Sequence, residues 1–252
     1  MKIKNLLNYK NKKVVITGCN GQLGKFMCKL FIDLGCKVYG IDKTNNKFLK
    51  STKFVFNKVD ISKKINIENF LGKVLKKEKV DIFINNAGYS PVTHFSKRTQ
   101  EETNETFDTN LISIINIINT INKLHNIKNK CKIINIGSVY GVRSPDFQIY
   151  KKEDRINSEV YGASKAGLIQ ITKYFAVALA KRNIIINCIS PGGIQNNNLQ
   201  NKNFVKNYNK KVPIGRMGKP DDLTMALIYF SNDLTTYTTG QNLIVDGGFT
   251  LC

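Results

Sequence analysis

The sequence predicts an α/β fold: a single doubly wound domain over residues 1–252, built on a mostly parallel seven-stranded sheet. Seven short apolar runs alternate with longer helix-like segments from end to end, as a parallel sheet with crossover helices requires. The runs are rich in Val, Ile and Phe without strict alternation, as in strands covered on both faces. No linker, repeat or compositional break divides the 252 residues, and 42% of them are apolar, ample for one buried core.

The first run, residues 13–17, leads into Thr17-Gly18-Cys19-Asn20-Gly21-Gln22-Leu23-Gly24 and a helix at 21–34 with apolar Phe26, Leu30 and Leu34. Such a turn lets backbone N–H groups and a helix N-terminus approach a pyrophosphate. Gly18, Asn20, Gly21, Gln22, Leu23 and Gly24 are therefore candidate dinucleotide contacts, although a glycine pattern alone describes a tight turn equally well. The second strand, 37–41, ends at Asp42, 18 positions after Gly24. A carboxylate there can accept both hydroxyls of an adenosine ribose and repels a 2'-phosphate, which favours NAD over NADP, with Lys43 as a partial offset. Further strands are expected at 54–59, 81–85, 132–137, 184–190 and 242–245, and helices at 65–77, 103–124, 160–182 and 221–231. The irregular stretches 140–158 and 195–211 are expected to be substrate-contacting loops.

The catalytic reading rests on Tyr161-Gly162-Ala163-Ser164-Lys165. Tyr-x-x-x-Lys also occurs at Tyr9/Lys13 and Tyr39/Lys43, but the first lies in a polar leader and the second in a strand, where residues four apart do not meet. Tyr161 and Lys165 open a long helix and share one face, and the small residues around them are expected to leave room for a flat ring. A tyrosine ordinarily titrates near 10, and an ammonium ~4 Å away at an effective dielectric of ~20 favours phenolate by ~4 kcal/mol, or about three pKa units. Tyr161 is thus expected to titrate near the working pH. Ser138 follows Ile133-Ile134-Asn135-Ile136-Gly137, which places its hydroxyl at the carboxyl end of a central strand, where open parallel sheets bind ligands. There it can donate to an oxygen on which charge develops.

Other function classes find less support. The formal net charge is +21, but the lysines are scattered, with no basic and aromatic stripe for specific nucleic-acid binding. Six cysteines without Cys-x-x-Cys or histidine partners read as reduced thiols of a cytoplasmic protein, with no metal site. The leader 1–8 lacks the apolar core of a signal peptide, and Asn116 and Asn119 break the greasiest segment, so no export signal or membrane span is expected.

Taken together, these residues resemble the short-chain dehydrogenase/reductase family over essentially the whole chain. Further residues that carry the resemblance are Asp60-Ile61, Asn85-Asn86-Ala87-Gly88, Asn110 in Phe107-Asp108-Thr109-Asn110-Leu111, Pro191-Gly192-Gly193, Gly215-Arg216-Met217-Gly218-Lys219-Pro220 and Val245-Asp246-Gly247-Gly248. The resemblance implies a Rossmann-type domain that transfers a hydride between NAD(H) or NADP(H) and an alcohol/ketone pair. It implies Tyr161 as general acid/base, and Lys165 lowering its pKa and holding the nicotinamide ribose. Ser138 would orient the substrate oxygen and Asn110 would hold a water linking Lys165 to solvent. Asp60 and Ile61 would flank adenine, Asn86, Ala87 and Gly88 would line the cleft, and Pro191 to Ile194 would sit by the nicotinamide. A homodimer or homotetramer through the helices at 103–124 and 160–182 is also implied.

Three departures bear on substrate. Gln22 stands where the family's compact branch usually has glycine, a spacing more like the branch acting on nucleotide sugars. Arg143-Ser144-Pro145-Asp146-Phe147 looks like an inserted substrate-side loop, and Gln195-Asn196-Asn197-Asn198 replaces a frequent threonine. Loop and insert resemble dehydrogenases encoded among bacterial surface-sugar and flagellin-modification genes. A polar, sugar-like substrate of surface-glycan biosynthesis is the expectation; a 3-oxoacyl thioester reductase of lipid synthesis and a non-catalytic dinucleotide-sensing protein are the alternatives.

Overall fold

A computed structural model describes residues 8–45, 49–150, 156–196 and 198–252. Seven strands, β1 (Lys13–Thr17), β2 (Lys37–Asp42), β3 (Phe54–Lys58), β4 (Ile82–Asn85), β5 (Cys131–Ile136), β6 (Ile184–Pro191) and β7 (Asn242–Val245), form one sheet in the order β3-β2-β1-β4-β5-β6-β7. Every neighbouring pair is parallel, where a mostly parallel sheet was expected. The strand order reverses between β1 and β4, and the loops leaving these two strands diverge to opposite faces. Their carboxyl ends consequently bound a crevice.

Among the described residues seven α-helices flank the sheet: α1 (Gln22–Asp33), α2 (Lys64–Lys77), α3 (Gln100–Phe107), α4 (Ser113–Leu124), α5 (Glu159–Leu179), α6 (Lys202–Lys211) and α7 (Thr224–Ser231). Alternate strand residues point to opposite faces. Val15, Phe83, Ile133 and Ile186 therefore pack against Ile67, Ile117, Leu168 and Ala176 from α2, α4 and α5. Val14, Ile82, Ile134 and Ile189 pack against Met27, Phe31, Leu227 and Phe230 from α1 and α7.

Two elements differ from the sequence reading. The expected helix 103–124 begins earlier, at Gln100, where Thr99 and Glu102 form a capping box, and a π-helical turn at Asp108–Ile112 divides it. The expected loop 195–211 contains α6, which Asn201 caps by accepting from the Phe204 N–H at 2.7 Å. Only Phe204, Val205 and Tyr208 give α6 an apolar face, against lysines and asparagines elsewhere, so its periodicity is faint. Of the irregular stretch 140–158, residues 151–155 lie outside the described residues, as do Asn197 and most of the leader.

A third apolar cluster, distinct from the two sheet faces, lies at the carboxyl ends of β5 and β6. It contains Val139, Ile149, Tyr208, Val212, Met217 and Phe249, with Tyr140, Tyr150 and Phe204 packed against it.

Candidate active site

Ser138, Tyr161 and Lys165 line one cleft of about 870 Å³ at the carboxyl edge of the sheet. Ser138 leaves β5 after Gly137, where a Cβ would come within 2.5 Å of the Ser190 hydroxyl. It then caps the short turn Val139–Gly141, which lies directly on α5. A Cβ at Gly141 would meet the Lys165 backbone carbon at 2.8 Å, and one at Gly162 would meet the Tyr140 carbonyl at 3.0 Å. Gly162 thus serves packing within the protein, Ala163 and Ala166 are exposed, and none of the small residues of this face lines the cleft, contrary to expectation. Gly167 likewise faces the Leu111 side chain, and Ser164 is buried. Ser158 begins α5, its hydroxyl accepting from the Tyr161 N–H at 3.2 Å.

The charge arrangement also differs from the expected one. Lys165 Nζ donates to the Ile136 carbonyl at 2.7 Å and lies 5.6 Å from the centre of the Tyr161 ring. Burial pushes the Tyr161 phenol above its ordinary value, only partly offset by a hydrogen bond with Ser138, and pushes Lys165 down to about 8. Desolvation outweighs the expected attraction to phenolate. At neutral pH Tyr161 keeps its proton, the form that can donate to a carbonyl oxygen, and Lys165 is predominantly charged.

Asn110, in the π-helical turn, is fully buried and does not line the cleft. Its Oδ1 accepts from the Tyr89 N–H at 2.7 Å, and its Nδ2 donates to the Tyr89 carbonyl at 2.8 Å and to Ser164 Oγ at 3.0 Å. The side chain clamps the segment after β4 onto α5.

The other end of the cleft fits a dinucleotide. Gly18 adopts φ +65°, and a Cβ there would come 2.7 Å from Ala87 Cα. Gly18, Gly21, Gln22 and Leu23 line one wall, Asn86, Ala87 and Gly88 the floor, and Pro191 and Ile194 the opposite wall, with Asp42, Asp60 and Ile61 at the far end. The β1 and β4 ends are joined by Thr17 Oγ1, which accepts from the N–H groups of Asn86 and Ala87, each at 2.9 Å. Two expected contacts do not reach the cleft. Gly24 packs beneath the Gly18 carbonyl, which a Cβ would approach to 2.0 Å, and Asn20 Nδ2 turns away to donate to the Thr44 carbonyl at 2.9 Å. Asp42 accepts from Asn20 N–H through Oδ2 and from Thr44 N–H and hydroxyl through Oδ1. A carboxylate offers about four lone-pair sites. One therefore remains for a ribose hydroxyl, where two hydroxyls were expected to bind.

Comparison with known proteins decides the family. Residues 22–250 match the sequence family described as Enoyl-(Acyl carrier protein) reductase. The crystal structure of a short chain dehydrogenase from Leptospira borgpetersenii with bound NAD+ is 38% identical, with a TM-score of 0.92, covering 99% of this chain and 97% of that one. This chain belongs to the short-chain dehydrogenase/reductase family. A 3-oxoacyl-[acyl-carrier-protein] reductase of Chlamydia pneumoniae is 30% identical over 250 residues, 95% of this chain and 97% of the relative. A 4-hydroxyisoleucine dehydrogenase complexed with NADH is 27% identical with a TM-score of 0.83, covering 96% of this chain and 100% of that one.

As a short-chain dehydrogenase/reductase the chain is an NAD(P)-dependent oxidoreductase. A nicotinamide held in this cleft would supply or take up the hydride, and the Ser138 and Tyr161 hydroxyls lie on one side of the same cleft, where they could face a reacting oxygen. Tyr140, Tyr150, Ile156, Phe204, Tyr208 and Met217 form a wall of the cleft beside Ser138 and Tyr161; all but Met217 fall in the stretches 140–158 and 195–211 expected to contact substrate, but the sequence did not show that they form one aromatic surface. Tyr208 stacks on Phe249 at 4.6 Å between ring centres, and its hydroxyl accepts from the Gly193 N–H at 2.7 Å. The insert supports this wall: Arg143 donates to the Phe249 and Cys252 carbonyls, and Asp146 pairs with Lys211 of α6 at 3.0 Å. Met217 falls in the Gly215–Pro220 motif that carries the family resemblance, whereas no local spacing links the other five. Among the described residues no helix is long and apolar enough to cross a membrane, and no cluster of His, Cys, Asp or Glu could hold a metal.

Proposed function

We propose that this protein reduces 3-oxoacyl thioesters to 3-hydroxyacyl thioesters, with NADH as the preferred reductant. The aromatic and aliphatic wall around Ser138 and Tyr161 carries this reading, because it suits an acyl chain beside the reacting carbonyl. The 3-oxoacyl-[acyl-carrier-protein] reductases among its relatives and the protonated Tyr161 point the same way. Of the polar run Gln195 to Asn198, the Gln195 carbonyl and the Asn196 side chain bond Gln22, although Gln200 and Asn201 beyond it do line the cleft. Preference for NADH follows from Asp42 and from Lys43, which pairs with Glu105 at 3.3 Å and so is not directed at a 2'-phosphate.

A sugar-like alcohol, as in surface-glycan biosynthesis, is the second reading. It is favoured by the Tyr140 and Tyr150 hydroxyls, 3.1 Å apart on the wall, and by the Asn157 side-chain oxygen, buried in the cleft without a hydrogen-bond partner. A screen of short 3-oxoacyl thioesters, nucleotide sugars, sugar phosphates and free sugars with each cofactor separates the two. Thioester reduction by NADH is the expected result, and turnover of a sugar alone overturns it. Asp42→Ala is expected to raise the Kd for NADH by on the order of tenfold, one charge-assisted hydrogen bond, and that for NADPH less; equal losses remove Asp42 as the selectivity residue. A homodimer or homotetramer is also inferred, supported by exposed Tyr174 and Val177 on α5, which are 66% and 83% accessible. Light scattering at micromolar concentration is expected to give a multiple of the chain mass, and a monomer refutes the inference.

A further inference from the structure

Two departures from the family's usual pattern meet in one contact. The Gln22 side chain crosses from the start of α1 to the segment that follows β6. Its Nε2 donates to the Gln195 carbonyl at 2.7 Å, and its Oε1 accepts from Asn196 Nδ2 at 3.1 Å. Both ends of the carboxamide are thereby engaged. The same segment is anchored independently on its other side. The Gln195 N–H donates to the Gly218 carbonyl at 2.8 Å, Ile194 pairs with Gly218 as a parallel bridge, and Gln200 bonds both the Ile194 carbonyl and the Asn196 N–H. Ile194 to Asn196 form a braced strap with one fastening on Gly218 and the other on Gln22.

The strap joins opposite walls of the dinucleotide cleft. Gly18, Gly21 and Leu23 line the wall from which Gln22 projects, and Pro191 to Ile194 line the wall that carries the strap. A dinucleotide with its adenosine at Asp42 and its nicotinamide at Tyr161 passes between them. We propose that Gln22 is a latch: a positioning residue whose carboxamide fastens the strap across the bound dinucleotide and sets the rate at which the dinucleotide leaves. Glycine at this position has no side chain to reach across, so the fastening is particular to chains with a long amide here. Gln22 and its partners are exposed to solvent, so the latch opens against ordinary neutral hydrogen bonds, each equivalent to roughly a fivefold change in rate or affinity.

The test is NADH release from the full chain, followed by stopped-flow fluorescence after displacement with excess NAD+. Gln22→Ala and Gln22→Gly are expected to release NADH about fivefold to twentyfold faster than the parent, and Asn196→Ala about threefold faster. Because all three substitutions break one device, the Gln22→Ala/Asn196→Ala double variant is expected to be no faster than Gln22→Ala alone. A purely structural contribution to folding gives no such non-additivity in release. Parent-like release in both Gln22 variants, or effects that multiply in the double variant, overturns the proposal. Asn196→Ala keeps α1 intact, so the cycle retains a reading should a Gln22 variant fold poorly.

Discussion

At Tyr161 the decisive quantity is burial. The phenol, half-buried, and the buried Lys165 ammonium sit together at the bottom of the cleft, and partial removal of water penalises both charged forms. The protein therefore holds Tyr161 as an acid at neutral pH, and Lys165 holds its charge only below about 8. Carbonyl reduction is expected to be level below about pH 7 and to fall toward tenfold per unit above pH 8 as Lys165 loses its proton; a pH profile of kcat/KM that stays level to pH 10 removes Lys165 from the proton path. Tyr161→Phe is expected to cut turnover by at least about a thousandfold with dinucleotide affinity changed less than about threefold, as for loss of a proton donor within a packed ring. Retained turnover would place the donor elsewhere. Ser138, Tyr161 and Lys165, which line one cleft, were legible because their spacing has few structural solutions. The other two Tyr-x-x-x-Lys matches dissolve in the fold, since Tyr39 donates to Glu78 while Lys43 pairs with Glu105. Asn110 was legible as a position, but only the folded chain shows its amide bonded to Tyr89 and Ser164.

Among elements, the Val139–Gly141 turn and the first half of α5 form one packed unit that carries Ser138 and Tyr161. They interlock through Gly141 and Gly162, so hydroxyl placement at Ser138 depends on backbone approaching backbone. Gly141→Ala puts a methyl 2.8 Å from the Lys165 carbonyl carbon, with no flexible side chain to yield. It is expected to destabilise the fold by about 2 kcal/mol, as overpacking does, and to lower kcat more than it raises the KM for dinucleotide; thermal melting with steady-state kinetics checks both, and wild-type values would show that the turn can slide. The strands were readable from apolar runs, because each is covered on both faces. Helix α6 was not, and the aromatic wall was readable only as two irregular stretches, because its members come from four separated stretches that only tertiary structure assembles.

Across the whole molecule, five of the six cysteines are buried and free. Burial raises each thiol, with Cys19 and Cys36 pushed up to about 12 and Cys188 to about 11. The folded state then holds protons that the unfolded chain releases above about 9. Their stabilising contribution is complete below pH 9 and is lost as pH rises toward 12. Buried Lys165 and Lys132, both pushed down to about 8, act oppositely between 8 and their ordinary value of 10.5, but two lysines are outnumbered by five thiols. The melting temperature is expected to drop by at least about 5 °C between pH 8.5 and 10.5, a loss of a few kcal/mol for a chain of this size; a level or rising curve in calorimetry contradicts this balance. The pairing of β1 with β4, Val14 beside Ile82, has a kinetic consequence. No strand neighbours its partner through a short turn, and the dinucleotide crevice closes only when segments nearly seventy residues apart meet. Such a topology makes folding slow and exposes unpaired strand edges along the way. Dinucleotide, which recognises only the closed crevice, then acts on the nascent protein as a thermodynamic chaperone, drawing the population toward the native state by mass action.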